Sequence, residues 1–488
     1  MTTMKAETIQ VASHVSRDWA VFHIVAAPLA FLVTLVLPVP SMTYAIRCSL
    51  GLLVWTAWWW IARPVNLAVT GLLPLAVTAA FNFVPMTDVL PAYADEVIIL
   101  LMAANILSAV WQKWGLDRRI ALVSLLGVGT STRRQILVWY LICVVLSAFL
   151  PRTIVAATMV PIVIAMLRYI GIDDLWNSKF GTALLLAIAW GAGVGGFLTP
   201  LGGAPNLLVM KLVQDQVTRH EFLFVTWLAR NAPLTIAIVL AVFVYIRFAL
   251  KAEIDETPGT RSYFKQELKK LGPITAQEKW GLGVFLLATA LAFTRQFYVS
   301  TFPALTPSFT FLAFAICCFV VRPGGRQLIT WEYAQGQLVW GLFYVFAGGT
   351  ALGAIIDKTG TAKYLADIIL PYASRGGFAA ILIFTALTIA LAQIISNLAT
   401  VAIIGPVAIG LFKNLGMNPI PYVYIIAAAS HCGFMLPSSA GSSAIAAGYG
   451  VNLRTMFVKG FWAAAIMFLI IAVGAYLLME FWPGFGYA

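Results

Sequence analysis

Runs of apolar residues long enough to cross roughly 30 Å of hydrocarbon recur along this chain. They lie near 21–40, 43–62, 66–85, 95–114, 180–198, 224–250, 280–297, 304–322, 337–356, 421–436 and 457–482, and each predicts one transmembrane helix. Two further apolar stretches, 136–169 and 378–416, are too long for a single span, yet neither holds the polar turn that separates two independent ones. Both are interrupted near the middle, so the pattern predicts two re-entrant helical hairpins. The chain therefore reads as an all-α polytopic membrane protein of about eleven spans plus two hairpins.

The two interruptions are one motif written twice. Pro151-Arg152-Thr153-Ile154-Val155-Ala156-Ala157-Thr158-Met159-Val160-Pro161 aligns without gaps on Ser396-Asn397-Leu398-Ala399-Thr400-Val401-Ala402-Ile403-Ile404-Gly405-Pro406. Upstream, Leu107-Ser108-Ala109 with Lys113-Trp114-Gly115 matches Leu352-Gly353-Ala354 with Lys358-Thr359-Gly360 at the same offset; downstream, Gly196-Phe197-Leu198-Thr199-Pro200 matches Gly433-Phe434-Met435-Leu436-Pro437. Three ordered matches define an internal repeat. Its units are expected at 21–250 and 280–488, joined by a linker at 251–279 and preceded by a segment at 1–20 that has no apolar signal-peptide core. Five spans separate equivalent spans of the two units, an odd number, so the units run in opposite directions through the bilayer.

Composition agrees with the apolar pattern. Apolar residues make up 61% of the chain and charged residues 10%, far below the quarter or so of a soluble protein. The net charge of +12 follows topology. With the N-terminus in the cytoplasm and the C-terminus outside, Arg63, the 113–134 segment, the 251–279 linker, Arg322, Arg326, Arg454 and Lys459 all fall on the cytoplasmic side. Lys211, Arg219, Arg295 and Arg375 are exceptions. Dispersal of the basic residues at span ends argues against a nucleic-acid partner. The linker's six basic and five acidic residues nearly cancel. Cys48, Cys143, Cys317, Cys318 and Cys432 sit in apolar stretches without metal-ligand spacing and read as free thiols. No phosphate loop, His-Glu helix motif or nucleophile elbow appears, and the acids near span ends, Asp95, Glu96 and Asp357, do not make an intramembrane hydrolase, so an enzyme is not expected.

Inverted repeats with interrupted helices are the signature of secondary transporters, which bind substrate near mid-membrane between the repeats. Thr199-Pro200-Leu201-Gly202-Gly203-Ala204-Pro205-Asn206 breaks one span and Leu436-Pro437-Ser438-Ser439-Ala440-Gly441-Ser442-Ser443 breaks its partner. Broken helices free backbone groups, tolerated in a membrane only where they line a cavity or bind something, and the helix amino ends they create favour anions. An anion channel, the remote alternative, would need a continuous polar pathway and rings of like charge or carbonyls, the latter of which the broken helices could supply; paired re-entrant hairpins fit an alternating-access carrier better.

A hairpin carrying Ser-Asn-Thr and ending in Pro, then a broken helix, repeated in inverted halves, resembles the divalent-anion/sodium symporters, carriers of succinate, malate, citrate or sulfate. The likeness spans about 20–485 and includes Lys113-Trp114-Gly115-Leu116, Arg119-Ile120-Ala121 and Phe434-Met435-Leu436-Pro437. It implies a homodimer in a bilayer, the cytoplasmic membrane of a bacterium, with a transport domain sliding past a scaffold like an elevator. It also implies substrate contacts from Arg152, Thr153, Pro205, Asn206, Ser396, Asn397, Ser438 and Ser439. Cation-site candidates are Ser147, Gly202, Ser396, Asn397 and Ser439, with at most one sodium ion and no other cofactor.

Several positions depart from the pattern. Pro151 and Arg152 replace a Ser-Asn pair that holds sodium, Leu398 and Ala440 replace substrate-contacting threonines, and Ala392 stands where a hydroxyl would help. An intramembrane charge marks function. Arg152 either substitutes for sodium or forks onto an acid group of the substrate. The expectation is a carrier of small organic anions, di- or tricarboxylate-like, working as an exchanger with weak or no sodium dependence; the alternative is a sodium-coupled dicarboxylate or sulfate/sulfonate symporter. Loss of the two threonines leaves the second half of the pocket apolar, so a dicarboxylate with one poorly held end, a monoanionic acid or an organosulfonate would fit. His431 is a candidate pH-sensitive group against a background of ordinary packed histidines. Asn105 lies within reach of the pocket or bonds between helices. Trp55, Trp58, Trp59 and Trp60 read as an interfacial belt.

Overall fold

The computed structural model describes residues 17–37, 39, 41–127, 129–365, 367 and 377–487. Arg375 and the amino-terminal segment before residue 17 lie outside them. Ten helices are long and apolar enough to cross a membrane, and helices lie over all eleven windows that the apolar runs predict. Among the described residues no strand forms beyond an isolated bridge between Ser131 and Glu256.

In chain order the helices are α1 (Arg17–Val36) and α2 (Tyr44–Ala62), then α3 (Leu67–Thr70) and α4 (Leu73–Phe81) with a break between them. A short α5 (Met86–Val89) leads to α6 (Glu96–Trp114) and the amphipathic α7 (Leu116–Leu125). The first hairpin is α8 (Thr132–Ser147) and α9 (Arg152–Tyr169). Next come α10 (Lys179–Leu198) and α11 (Ala204–Val213), the two halves of one broken span, and α12 (Phe224–Ala249). The linker holds α13 (Thr260–Lys270).

After α13 come α14 (Ala276–Phe293), α15 (Pro307–Val320), α16 (Trp331–Gln337) and α17 (Trp340–Lys358), followed by the second hairpin, α18 (Gly377–Ile394) and α19 (Asn397–Asn414). The partner broken span is α20 (Ile420–Ser430) and α21 (Gly441–Gly448), and α22 (Leu453–Phe481) closes the chain. Following the chain's alternation, α2 ends on the face where α1 begins, here called the amino-terminal face. The first hairpin enters from that face and the second from the opposite one.

Two bundles result. In one, α10 packs against α8, α9, α12 and α21, while α18 and α19 pack on α20. Its axis is α10, whose apolar window is 94% buried inside the protein. In the other, α1 packs on α2, α6 on α14 and α15, and α17 on α3. The principal seam between the bundles is α17 against α19. Gly349 permits it: a Cβ there would lie 2.6 Å from that of Ala402. Apolar side chains left outward, such as Leu29, Val33, Leu240 and Leu469, face where lipid would be.

The linker bridges both bundles at the amino-terminal face. Arg118 pairs with Glu267 at 2.7 Å and Arg119 with Glu278 at 2.6 Å, while the Gln135 amide donates to Thr257 and Glu253 accepts from Ser178 and from the Phe180 N–H. Three of the four tryptophans of the α2 cluster bond inside the protein. Trp58 and Trp59 donate to the ring and the carbonyl of His23, and Trp60, fully buried, donates to Leu67.

Candidate substrate site

Both hairpin tips and both helix breaks meet at one cavity of about 800 Å³ between the bundles. The tips supply Arg152 and Thr153 at the start of α9 and Ser396 and Leu398 at the start of α19; the breaks supply Gly202 to Pro205 and Ser439 to Gly441. Four helix amino ends therefore point at one place. Each carries about half a positive charge on N–H groups that lack an intrahelical partner. Only α19 has a side-chain cap, Ser396 accepting from the Ala399 N–H at 3.3 Å. The ends of α9, α11 and α21, preceded by Pro151, Gly203 and Ala440, have none.

The other bundle contributes Arg63 to Leu67, the start of α17 from Val339 to Leu342, and Asn105 of α6. Except for Asn105, at mid-helix, and Val345, these lie where spans end at the amino-terminal face. The cavity thus opens toward that face.

At the opposite face the bundles are tied by two ion pairs. Lys211 of α11 meets Asp95, the amino-terminal cap of α6, at 2.8 Å, and also Asp215 at 3.1 Å. Arg295, 1% exposed, meets Glu221 at 3.2 Å and donates to the carbonyls of Phe302 and Pro303. Lys211 and Arg295 are two of the exceptions to the basic-residue pattern, and both are consumed by these pairs.

The predicted site residues divide into three groups. Arg152, Thr153, Pro205, Gly202, Ser396 and Ser439 line the cavity. Arg152 has a buried Nη1 without a hydrogen-bond partner, and none of the ion pairs among the described residues includes it. The cavity wall contains no Asp or Glu. Thr153 is exposed to the cavity and packs against the backbone of Gly441, where any side chain would collide with its hydroxyl.

Asn397 and Ser147 lie just behind the tips, both at or below 1% exposure. Neither amide atom of Asn397 nor the hydroxyl of Ser147 has a partner. The third group serves the breaks. Asn206, fully buried, donates to the Gly196 and Thr199 carbonyls at 2.8 Å each, closing the open carboxyl end of α10. Ser439 donates to the Gly433 and Leu436 carbonyls, which does the same for the second break. Ser438 is exposed, and its carbonyl, not its hydroxyl, is engaged.

His431 is 3% exposed and bonds the Ala427 carbonyl through Nδ1 at 2.9 Å, while its Nε2 has no partner and lies close to Gly203. A carbonyl only accepts, so Nδ1 carries the proton. Asn105 lines the cavity and donates to Leu101 within its own helix.

Three contributors escape sequence reasoning. Gln393 accepts from the Phe434 and Met435 N–H groups at 3.0 Å and donates to Cys432 at 2.7 Å, binding the second hairpin to the second break. Thr199 does the equivalent in the first half through the Ala148 carbonyl. Arg63, a span-end cation by sequence, donates to the carbonyls of Ser438 at 2.9 Å and Ile394 at 3.3 Å.

Residues 17–486 match the family model described as the sodium:sulfate symporter transmembrane region. The chain belongs to that family. It is 29% identical to the sodium-dependent dicarboxylate transporter of Staphylococcus saprophyticus over 93% of this chain and 91% of that one. The corresponding protein of Staphylococcus aureus is 28% identical, with 93% and 90% covered. Among solved structures, MtrF of Neisseria gonorrhoeae superposes with a TM-score of 0.59 at 12% identity, covering 92% of this chain and 97% of its own. The YdaH transporter of Alcanivorax borkumensis gives 0.56 at 13%, covering 82% and 88%. These two establish likeness of fold alone. The expected family and all-helical membrane architecture hold, and the protein is an anion transporter in a family of membrane transporters.

Proposed function

We propose that this protein carries small organic anions of the di- or tricarboxylate type across the membrane, anchoring one acid group on Arg152 at the meeting point of four helix amino ends. The observation that carries this reading is the unpartnered guanidinium in a wall without acids. A charge so placed is unfavourable unless something anionic joins it, and a carboxylate satisfies its planar fork with two parallel hydrogen bonds. Thr153, Ser396 and the amides of α11 and α21 complete the pocket.

Because Arg152 carries its charge permanently, it takes over the neutralising role of one bound cation. The carrier then gains nothing from a sodium gradient at that tip, and its empty pocket returns poorly across the membrane. Exchange of one anion for another is the expected mode. The movement is an elevator stroke of the hairpin bundle past α17: the cavity opening at one face and the ion pairs at the other support this reading, with the present state open to the amino-terminal face. A homodimer, that face cytoplasmic, is part of the same proposal.

A second reading has its own support. The relatives are named sodium-dependent, and the unpartnered Asn397 beside Ser396 offers oxygens for one sodium ion. Uptake into proteoliposomes of a panel of anions, with sodium, proton and counter-substrate gradients imposed singly, separates exchange from symport.

A further inference from the structure

Arg63 carries a second, independent feature of the site. It follows the last turn of α2 in the left-handed conformation, at φ 52 and ψ 44, with its N–H on the Trp59 carbonyl. Glycine or asparagine fills that cap position with less strain, so the arginine side chain, not the backbone, is what the position uses. That side chain crosses from the scaffold bundle to the hairpin bundle. One nitrogen, Nη2, serves both the Ile394 and Ser438 carbonyls, at the tip of the second hairpin and the second helix break. Its Nε is buried without a partner, and no acid among the described residues pairs with it.

Those two carbonyls adjoin the half of the pocket where Leu398 and Ala440 offer no hydroxyl. Arg63 lines the same cavity as Arg152, which stands at the first tip. The wall therefore holds two guanidinium groups, one beside each hairpin, and no carboxylate to balance either.

We infer that Arg63 binds the second acid group of the substrate, so that the site is built for a dianion held between two arginines. This rests on the reading of Arg152 as the first anchor. The two carbonyl bonds are the resting position of Arg63 in the empty carrier. A neutral carbonyl is a weaker acceptor than a carboxylate, so an incoming dianion takes the guanidinium from Ile394 and Ser438. That exchange also releases a tie between the bundles. An anion with one acid group reaches Arg152 but leaves Arg63 where it is, and the tie stays made. Being on the scaffold, Arg63 meets the substrate only while the cavity opens to the amino-terminal face.

The test uses the full-length protein in proteoliposomes and competition for labelled succinate uptake by unlabelled succinate and by monomethyl succinate, which lacks the second charge. Wild type should favour succinate by roughly tenfold to a hundredfold, the worth of a hydrogen bond between charged groups. R63Q should bring that ratio close to one while monomethyl succinate competes about as well as before. R63K keeps the charge without the fork and should fall between, several-fold below wild type. A ratio in R63Q equal to wild type, or equal weakening of both compounds, overturns the assignment. Should R63Q fail to fold, R63K decides alone, and an unchanged ratio there overturns it. Failure of the Arg152 reading looks different: R152Q would then compete for both compounds as wild type does.

Discussion

The ion pair between Lys211 and Asp95 allows the proposed stroke to be tested by perturbing variants that lie outside the site. Lys211 is 14% and Asp95 11% exposed, and they meet at 2.8 Å across the two bundles. Breaking a fully buried pair by removing one partner costs about 3–5 kcal/mol, against about 0–1 kcal/mol for a surface pair. This one lies between, at about 1–3 kcal/mol. The two single variants are unequal. D95N leaves Lys211 with Asp215 at 3.1 Å, whereas K211M strands Asp95 and Asp215 together, so K211M should have the larger effect.

In the proposed stroke the pair forms only in the state open to the amino-terminal face. Losing about 1–3 kcal/mol there moves the balance toward the other state by about fivefold to 150-fold. Thr153→Cys, exposed to the cavity, reports this as its labelling rate by an impermeant thiol reagent from each side; Cys48, Cys143, Cys318 and Cys432 are buried. Labelling from the opposite face should rise in D95N and rise further in K211M. Unchanged labelling in K211M, with the protein folded, would refute the seal and with it the direction assigned to the stroke.

Thr153→Ala and Asn397→Ala should each weaken substrate binding, read as a raised KM with the melting temperature unchanged; normal transport in both would remove the assignment of the tips. Asn206→Ala should act differently, because its amide closes the end of α10 with two 2.8 Å bonds: about 1–3 kcal/mol of stability per unsatisfied buried group, seen as a lower Tm in detergent, with ligand preference kept in the protein that remains folded. Arg152→Asn, which makes the first tip resemble the second, should introduce sodium dependence into whatever transport survives, measured as uptake against sodium concentration.

How legible this was differs from element to element. The hairpins and broken spans could be read because the motif at 151–161 recurs at 396–406, and the breaks carry Pro, Gly and Ser that a membrane tolerates only at a cavity. Arg152 stood out as a charge in an apolar run. Asn206 was legible as a position but not as a role: sequence cannot say whether an amide faces a ligand or closes a helix end. Arg63 was hidden in plain view, since a basic residue at a span end satisfies the positive-inside rule and asks for no further account. Its partners, Ile394 and Ser438, offer only backbone carbonyls, which have no sequence signature. The same holds for the seal, where Lys211 read as an anomaly until Asp95, far away in the chain, was found beside it.

The central claim is that the fixed charge of Arg152 replaces a coupling cation. Uptake of labelled succinate into proteoliposomes preloaded with unlabelled succinate, with all sodium replaced by choline, tests it most directly. The account predicts that exchange continues at nearly the rate seen in sodium. Collapse of uptake in choline, restored by adding sodium back, would contradict it.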